Sequence, residues 1–167
     1  MGHLWLIGMM GSGKTTIGAA VASRRSLPFY DTDMIVERDA GASIPEIFEN
    51  LGEGEFRRME SLAVSTTARA PAGIVATGGG VALDPGNVAA MRASGTTVLV
   101  DVDAGVLTER LRDAGDRPLL ADPRGIGLRA ITADRAELYR AAADVVVDGA
   151  GSIEAVCERV EAVCRRS

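Results

Sequence analysis

Gly8, Gly11, Gly13, Lys14 and Thr15 are the residues whose types and spacing most directly specify chemistry. Residues 8 to 15 read Gly-Met-Met-Gly-Ser-Gly-Lys-Thr and satisfy G-x-x-x-x-G-K-[ST] in full. The glycines let the backbone curl so that successive N–H groups point inward as an anion nest. A lysine at this position reaches nucleotide β- and γ-phosphates as a point charge, and the Thr15 hydroxyl can ligate Mg²⁺. Of the 18 Lys and Arg residues, Lys14 is the only lysine. A compact ammonium suits such a loop better than a planar guanidinium. The chemistry indicated is the binding of nucleotide phosphates.

Three other clusters carry polar groups that could act with it. Asp31-Thr32-Asp33 follows a short apolar run, and acidic residues at the carboxyl end of a strand lie on the ligand side of an open α/β sheet. Asp31 or Thr32 would also cap the next helix, and the sequence does not divide the roles. Gly78-Gly79-Gly80 follows Ile74-Val75-Ala76. Three consecutive glycines cost backbone entropy, and more than a plain turn needs; they point to a backbone passing very close to a ligand. Residues 113–125 hold two Gly, two Pro, three Asp and two Arg. A stretch of that length and composition reads as a mobile lid whose Arg117 and Arg124 enter the site on closure.

The elements that must position these groups follow from periodicity. His3–Ile7 is an apolar run suited to a buried parallel strand, and the spacing predicts a helix from Thr15 to Arg25, so the glycine loop lies between strand and helix. There the helix N-terminus adds its dipole to the phosphate site. Strands are expected at 27–30, 74–76, 96–102 and 145–147. A helix after Asp33 closes at Gly41. The capping box Ser43-Ile44-Pro45-Glu46 opens the next, with Ile47, Phe48 and Leu51 as its apolar side and a break at 52–54. A helix over 55–69 has Phe56, Met59, Leu62 and Ala63 as its buried stripe; its charged Arg57, Arg58 and Glu60 read by default as a solvated face. Further helices are expected at 87–92, 104–112 and 128–143, the last with Ile131, Leu138 and Tyr139 on one side and Arg135 beside them. A final helix from Ser152 buries Ile153, Val156, Cys157, Val160, Val163 and Cys164. Strands alternating with helices give an α/β doubly wound sheet, with the chemical groups gathered on one side of it.

Composition bounds the rest. The 167 residues, 47% hydrophobic and 25% charged, fit one soluble domain. A net charge of −5 argues against bulk nucleic-acid binding. No apolar stretch approaches the roughly 18 residues of a membrane span, and no secretory leader is expected. Cys157 and Cys164 lie about 10 Å apart along one helix, too far to bridge, and read as core thiols of a reducing compartment. His3 is the only histidine; it reads as structural and rules out a histidine triad or a multi-histidine metal site.

Taken in order, the motifs resemble a family. They are Gly8 to Gly18, Asp31-Thr32-Asp33, Ser43-Ile44-Pro45-Glu46-Ile47-Phe48, Gly52-Glu53-x-Glu55-Phe56-Arg57-Arg58-x-Glu60, Gly78-Gly79-Gly80, Arg117-Pro118-Leu119-Leu120 and Arg135-x-x-Leu138-Tyr139-Arg140. Together they resemble shikimate kinase from about residue 3 to 148. The resemblance implies an α/β P-loop fold like that of the nucleoside monophosphate kinases, three-layered, with a five-stranded parallel sheet flanked by helices and a mobile lid. It implies a single domain over 1–167, with substrate-binding helices at about 32–70 and the lid at about 113–125. It implies ATP- and Mg²⁺-dependent phosphorylation of the shikimate 3-hydroxyl by a cytoplasmic monomer, with no nucleic-acid or membrane partner. On the same basis Gly11, Ser12, Gly13, Lys14, Thr15 and Thr16 bind the phosphates, Thr15 binds the metal, and Asp31 supports it through water. Asp33 bonds the substrate hydroxyls and can accept a proton. Arg57 and Arg135 hold the carboxylate, and Gly79 and Gly80 pack on the substrate. Arg117 reaches the transferring phosphate and Arg110 lies near the adenine. Departures are Ala19 for a common basic residue, Glu137 for a common proline, and the chain beyond Gly149, which follows no family pattern.

Two other readings stay open. A gluconate or cyclitol kinase of the same fold would keep the nucleotide half, but an uncharged cyclitol would leave two buried arginines unpaired. A non-catalytic nucleotide-binding module would predict erosion of Lys14, Thr15, Asp33 or the lid, and none is eroded.

Overall fold

The computed structural model describes residues 2–112 and 126–165, without the side chains of 110–112 and 126–129. The expected lid with Arg117 and Arg124, and the Arg110 side chain, lie outside the described residues. The chain runs β1 (His3–Ile7), α1 (Lys14–Arg25), β2 (Phe29–Asp31), α2 (Thr32–Ala40), α3 (Ile44–Thr67), β3 (Ile74–Ala76), a short 3₁₀ turn (Val81–Leu83), α4 (Pro85–Ser94), β4 (Gly95–Asp101), α5 (Ala104–Arg112), α6 (Ile126–Ala142), β5 (Val145–Asp148) and α7 (Ile153–Cys164).

The five strands form one parallel sheet in the order β2-β3-β1-β4-β5. The central strand β1 is buried along its whole length, as an unbroken apolar strand covered on both faces must be. From β1 the chain goes first to the β2–β3 side and then to the β4–β5 side. That reversal opens a crevice at the carboxyl ends of the strands, beside the loop that follows β1.

Local chemistry sets several boundaries. Pro28 has no N–H to give a ladder, so β2 starts at Phe29 and reaches Asp31. Gly41 ends α2 at φ 66°. The expected break at 52–54 is a kink within one helix: only Gly52, at φ 80° and ψ 169°, leaves helical geometry in α3. The buried stripe of that helix also differs from expectation. It runs through Phe56, Glu60, Ala63, Val64 and Thr67, while Leu62 is 54% exposed. On the described part of α6, Tyr139 and Ala142 are buried and Ile131 packs against the core, whereas Leu138 is 51% exposed. On α7 the stripe from Val156 to Cys164 is buried, whereas Ile153 at its start is exposed. Cys157 and Cys164 are free and buried, and burial raises both thiol pKa values. His3 is buried, and its Nδ1 accepts the Gly73 N–H at 3.2 Å, which ties the start of β1 to the turn before β3. Among the described residues no helix is long and apolar enough to cross a membrane.

Candidate active site

The loop after β1 is held open by conformation. Gly8, Gly11 and Gly13 have φ values of 139°, 78° and 88°, a region where a Cβ is strained. α1 has no side-chain cap and no acidic residue in its first turn. Its leading N–H groups and the positive end of its dipole are therefore left for an anion. Lys14, the first residue of α1, is buried. Its Nζ donates to the carbonyls of Gly8 and Met9, both at 2.8 Å, and to Ser12 Oγ at 3.2 Å. Thr15 and Thr16 follow on the exposed side of the same turn.

Asp31, at the end of β2, serves two elements at once. Its Oδ1 accepts the N–H groups of Asp33 and Met34 and so caps α2; its Oδ2 accepts the Thr15 hydroxyl at 2.7 Å. Asp31, not Thr32, is thus the cap. The Thr32 hydroxyl turns inward and accepts the Gly78 N–H at 2.9 Å, joining α2 to the glycine run after β3. The first turn of α2 then carries the half-buried Asp33 into the crevice.

Two of the three glycines, Gly78 and Gly80, are needed for room rather than for backbone freedom. None has a positive φ. A methyl at Gly78 would clash with the Asp33 carboxylate and stand 2.8 Å from Glu60 Oε1. A methyl at Gly80 would clash with the Arg57 guanidinium. At Gly79 it would meet only ordinary contacts, the nearest at 3.6 Å, and the Gly79 carbonyl accepts the Tyr139 hydroxyl at 2.6 Å. At Gly78 and Gly80 this backbone passes close to the chain's own charged side chains.

Arg57 Nη1 donates to Glu60 Oε2 at 2.9 Å, its other nitrogens reach Glu53, and its Cζ lies 5.2 Å from the centre of the Phe56 ring. Burial works against the Arg57 cation, but its bonds to Glu60 and Glu53 raise its pKa overall. Glu60 corrects the solvated-face expectation. It is 2% exposed, because its position one helical turn beyond Phe56 turns it under the glycine run. Burial raises its carboxyl pKa against the pull of Arg57 and Arg135. Burial likewise raises the Tyr139 phenol against Arg135. The charges of Arg57, Glu60 and Arg135 therefore meet around Tyr139 and the glycines.

A profile described as "Shikimate kinase" matches residues 10–165. The chain is 43% identical over 146 residues to a shikimate kinase of Aromatoleum aromaticum, covering 86% of this chain and 83% of the relative. It is 40% identical over 163 residues to one of Caldanaerobacter subterraneus, covering 96% and 94%. The chain belongs to the shikimate kinase family. A solved shikimate kinase from Acinetobacter baumannii, in complex with shikimate, superposes with a TM-score of 0.92 at 29% identity over 99% of this chain and 94% of its own. A gluconokinase of Sinorhizobium meliloti, 17% identical with a TM-score of 0.61, shares the fold alone. The α/β P-loop fold expected from the motifs stands, and so does a phosphotransferase acting on an alcohol.

Within this shikimate kinase fold, Asp33, Arg57, Gly79 and Gly80 are gathered beyond the ends of β2 and β3, and Arg135 joins them from α6 through Tyr139, whose hydroxyl reaches the Gly79 carbonyl. Gly11 to Thr16 stand beside them after β1, joined to Asp31 at the end of β2 by the Thr15 hydroxyl. Arg110 and Arg117 lie outside the description. Glu60 and Tyr139 are two members of the cluster that sequence reasoning gave no role. The available signal was spacing: Glu60 is three residues after Arg57, and Tyr139 four after Arg135, so each shares a helix face with an arginine.

Proposed function

We propose that the protein transfers the γ-phosphoryl group of ATP to the 3-hydroxyl of shikimate, a step on the route to chorismate, as a cytoplasmic monomer. The observation that carries the acceptor is the convergence of Arg57, Arg135 and Asp33 on the glycine run. A ring with one carboxylate and several hydroxyls suits that set. The guanidinium fork binds a carboxylate in two parallel hydrogen bonds, and an aspartate accepts from paired hydroxyls.

Phosphoryl transfer needs positioning and neutralisation of charge more than covalent help from the protein. The N–H groups of Gly11 to Thr16 would cradle the phosphates. Lys14 would exchange its carbonyl partners for phosphate oxygens and neutralise the charge that builds on them. Asp33 would orient the attacking hydroxyl and take its proton as the new P–O bond forms. Arg117 and Arg110, outside the described residues, complete the reading at the transferring phosphate and the adenine. The Thr15 hydroxyl and Asp31 carboxylate, 2.7 Å apart, are the hard oxygen donors that fit Mg²⁺, with Thr15 as a direct ligand and Asp31 acting through water. Bound there with the nucleotide, the ion would supply positive charge to the phosphates.

The test is ADP release with Mg-ATP in the presence of shikimate, quinate, gluconate, valienol or no acceptor. Strong turnover on shikimate alone, lost in Arg57→Ala and Lys14→Ala, is the expected result. Turnover on gluconate or valienol but not shikimate would keep the nucleotide half and overturn the acceptor. ATP binding without turnover on any acceptor would leave a nucleotide-binding module.

A further inference from the structure

The two halves of the site touch at Gly79. A methyl built there would lie 3.6 Å from the Met10 nitrogen, 3.9 Å from the Gly8 carbonyl oxygen and 3.8 Å from the Tyr139 hydroxyl. The glycine run of the acceptor side thus rests on the loop that follows β1, and one side chain from α6 stands at the joint. Tyr139 is 3% exposed. Its hydroxyl donates to the Gly79 carbonyl at 2.6 Å, and the sulfur of Met9 lies 3.5 Å from the same oxygen.

A phenol has one proton to donate. Here it has two acceptors, one in each half. The carbonyl is the stronger, and the thioether sulfur the softer and weaker. Met9 and Tyr139 also line a small cavity with Leu99 of β4 and Ala136 of α6, so sulfur and ring have space to part without opening a new hole in the packing. A proton shared between two acceptors, with room to settle on one, is a two-state element of the kind that links sites. Arg135, one turn back on the same helix, also bears on this phenol, so the acceptor side biases it as well.

We propose that the Tyr139 hydroxyl couples the nucleotide and acceptor halves. Phosphates that gather the N–H groups of the loop turn the main chain at Met9 with them and draw its sulfur off the hydroxyl. The proton then belongs to the Gly79 carbonyl alone, and the backbone on which the acceptor packs is fixed in place. Shikimate packed on that backbone favours the same arrangement, so each ligand tightens the other by one factor. Tyr139 touches neither reacting group and is a positioning residue. The proposal rests on the nucleotide and acceptor readings above, and its test separates it from both.

The experiment measures the dissociation constant of shikimate on the full chain by calorimetry, alone and with saturating Mg²⁺ and the β,γ-imido analogue of ATP. The constant for the analogue is then measured with and without shikimate. Each ligand should tighten the other about three- to tenfold, the scale of one neutral hydrogen bond. Tyr139→Phe keeps the ring and loses the hydroxyl, and the factor should fall to about one. Met9→Leu keeps the apolar volume and loses the sulfur; the factor should fall likewise, and this variant carries the test alone should Tyr139→Phe not fold. A merely structural Tyr139 would weaken both ligands and leave the factor intact. Equal affinities with and without the other ligand in the unaltered protein, or an undiminished factor in either variant, would overturn the proposal. Failure to bind shikimate would overturn the acceptor reading instead, and failure to bind the analogue the nucleotide reading.

Discussion

At the end of β1 the glycines are selected for conformation; at the end of β3 they are selected for room. Gly8, Gly11 and Gly13 all sit at positive φ, and what they present is a row of backbone N–H groups. Gly78 and Gly80 have ordinary backbone angles, and the missing side chains make space for Asp33, Glu60 and Arg57. The nucleotide half is thus a shape made by consecutive residues, aimed at a charge that every nucleoside triphosphate shares. The acceptor half is an assembly of side chains from α2, α3 and α6 packed against a bare backbone, and its chemistry can be specific to one small molecule.

The comparison predicts that the two halves fail in different ways. Lys14→Met should give the largest loss, about a hundred- to a thousandfold in kcat, the scale of a preorganised charge at a transition state. Shikimate binding in the absence of nucleotide should be nearly unchanged, as measured by titration. A comparable loss of shikimate affinity would mean that the halves are not separable.

Next in size is a contrast within the glycine run. Gly80→Ala must displace the Arg57 guanidinium, so the shikimate KM should rise about ten- to a hundredfold, the equivalent of one or two charge-assisted hydrogen bonds. Gly79→Ala meets only ordinary contacts and should stay within about threefold, since only a mild adjustment is asked of its neighbours. The KM for ATP should move little in either. Equal effects at the two positions would show that the run works through backbone flexibility after all.

This contrast also explains what could be read without coordinates. The phosphate loop is legible because its function lies in eight adjacent residues whose types dictate backbone shape. The sheet is legible because buried parallel strands must be apolar on both faces, as β1 and β3 are. The inward turn of Glu60 is not legible, because nothing in its helix reveals that the facing backbone has no side chains. The same gap misplaces Leu62 and Leu138: each follows an apolar rhythm, but the groove on the other side decides which residue of a pair faces in. Asp31 as both cap and partner of Thr15 depends on β2 ending one residue later than its apolar run, a boundary set by pairing with β3.

A smaller effect probes the burial of Glu60 in the unliganded protein. Burial holds its pKa above the ordinary carboxyl value of 4.5 in the folded chain, so the folded state binds this proton more tightly than the unfolded state. The stability tied to the proton is full below the ordinary carboxylate range and is lost as pH rises through the folded pKa. Glu60→Gln has no such loss. Its stability relative to the unaltered chain should climb with pH from about the usual glutamate value and then level off, as measured by urea unfolding at a series of pH values. A relative stability that falls over the same range would mean that the pairing with Arg57 outweighs burial.

The smallest effect comes from the residue next to the largest guanidinium effect. Arg57 and Arg58 are adjacent, both basic, and both one turn from a glutamate. Arg58 is 63% exposed on its side chain and pairs at 2.6 Å with Glu55, itself on the surface. Such a pair gains little over hydration and is screened by salt, so Arg58→Ala should leave stability and both KM values nearly unchanged. Arg57→Ala should instead raise the shikimate KM while sparing the KM for ATP, and it strips Glu60 of its closest cation. The hundred-degree step between neighbours on a helix is enough to put one guanidinium under the glycine run and the other in water. If Arg58→Ala raised the shikimate KM as much as Arg57→Ala, the acceptor half would be a diffuse basic field rather than a set of placed side chains, and the contrast with the phosphate loop would fail.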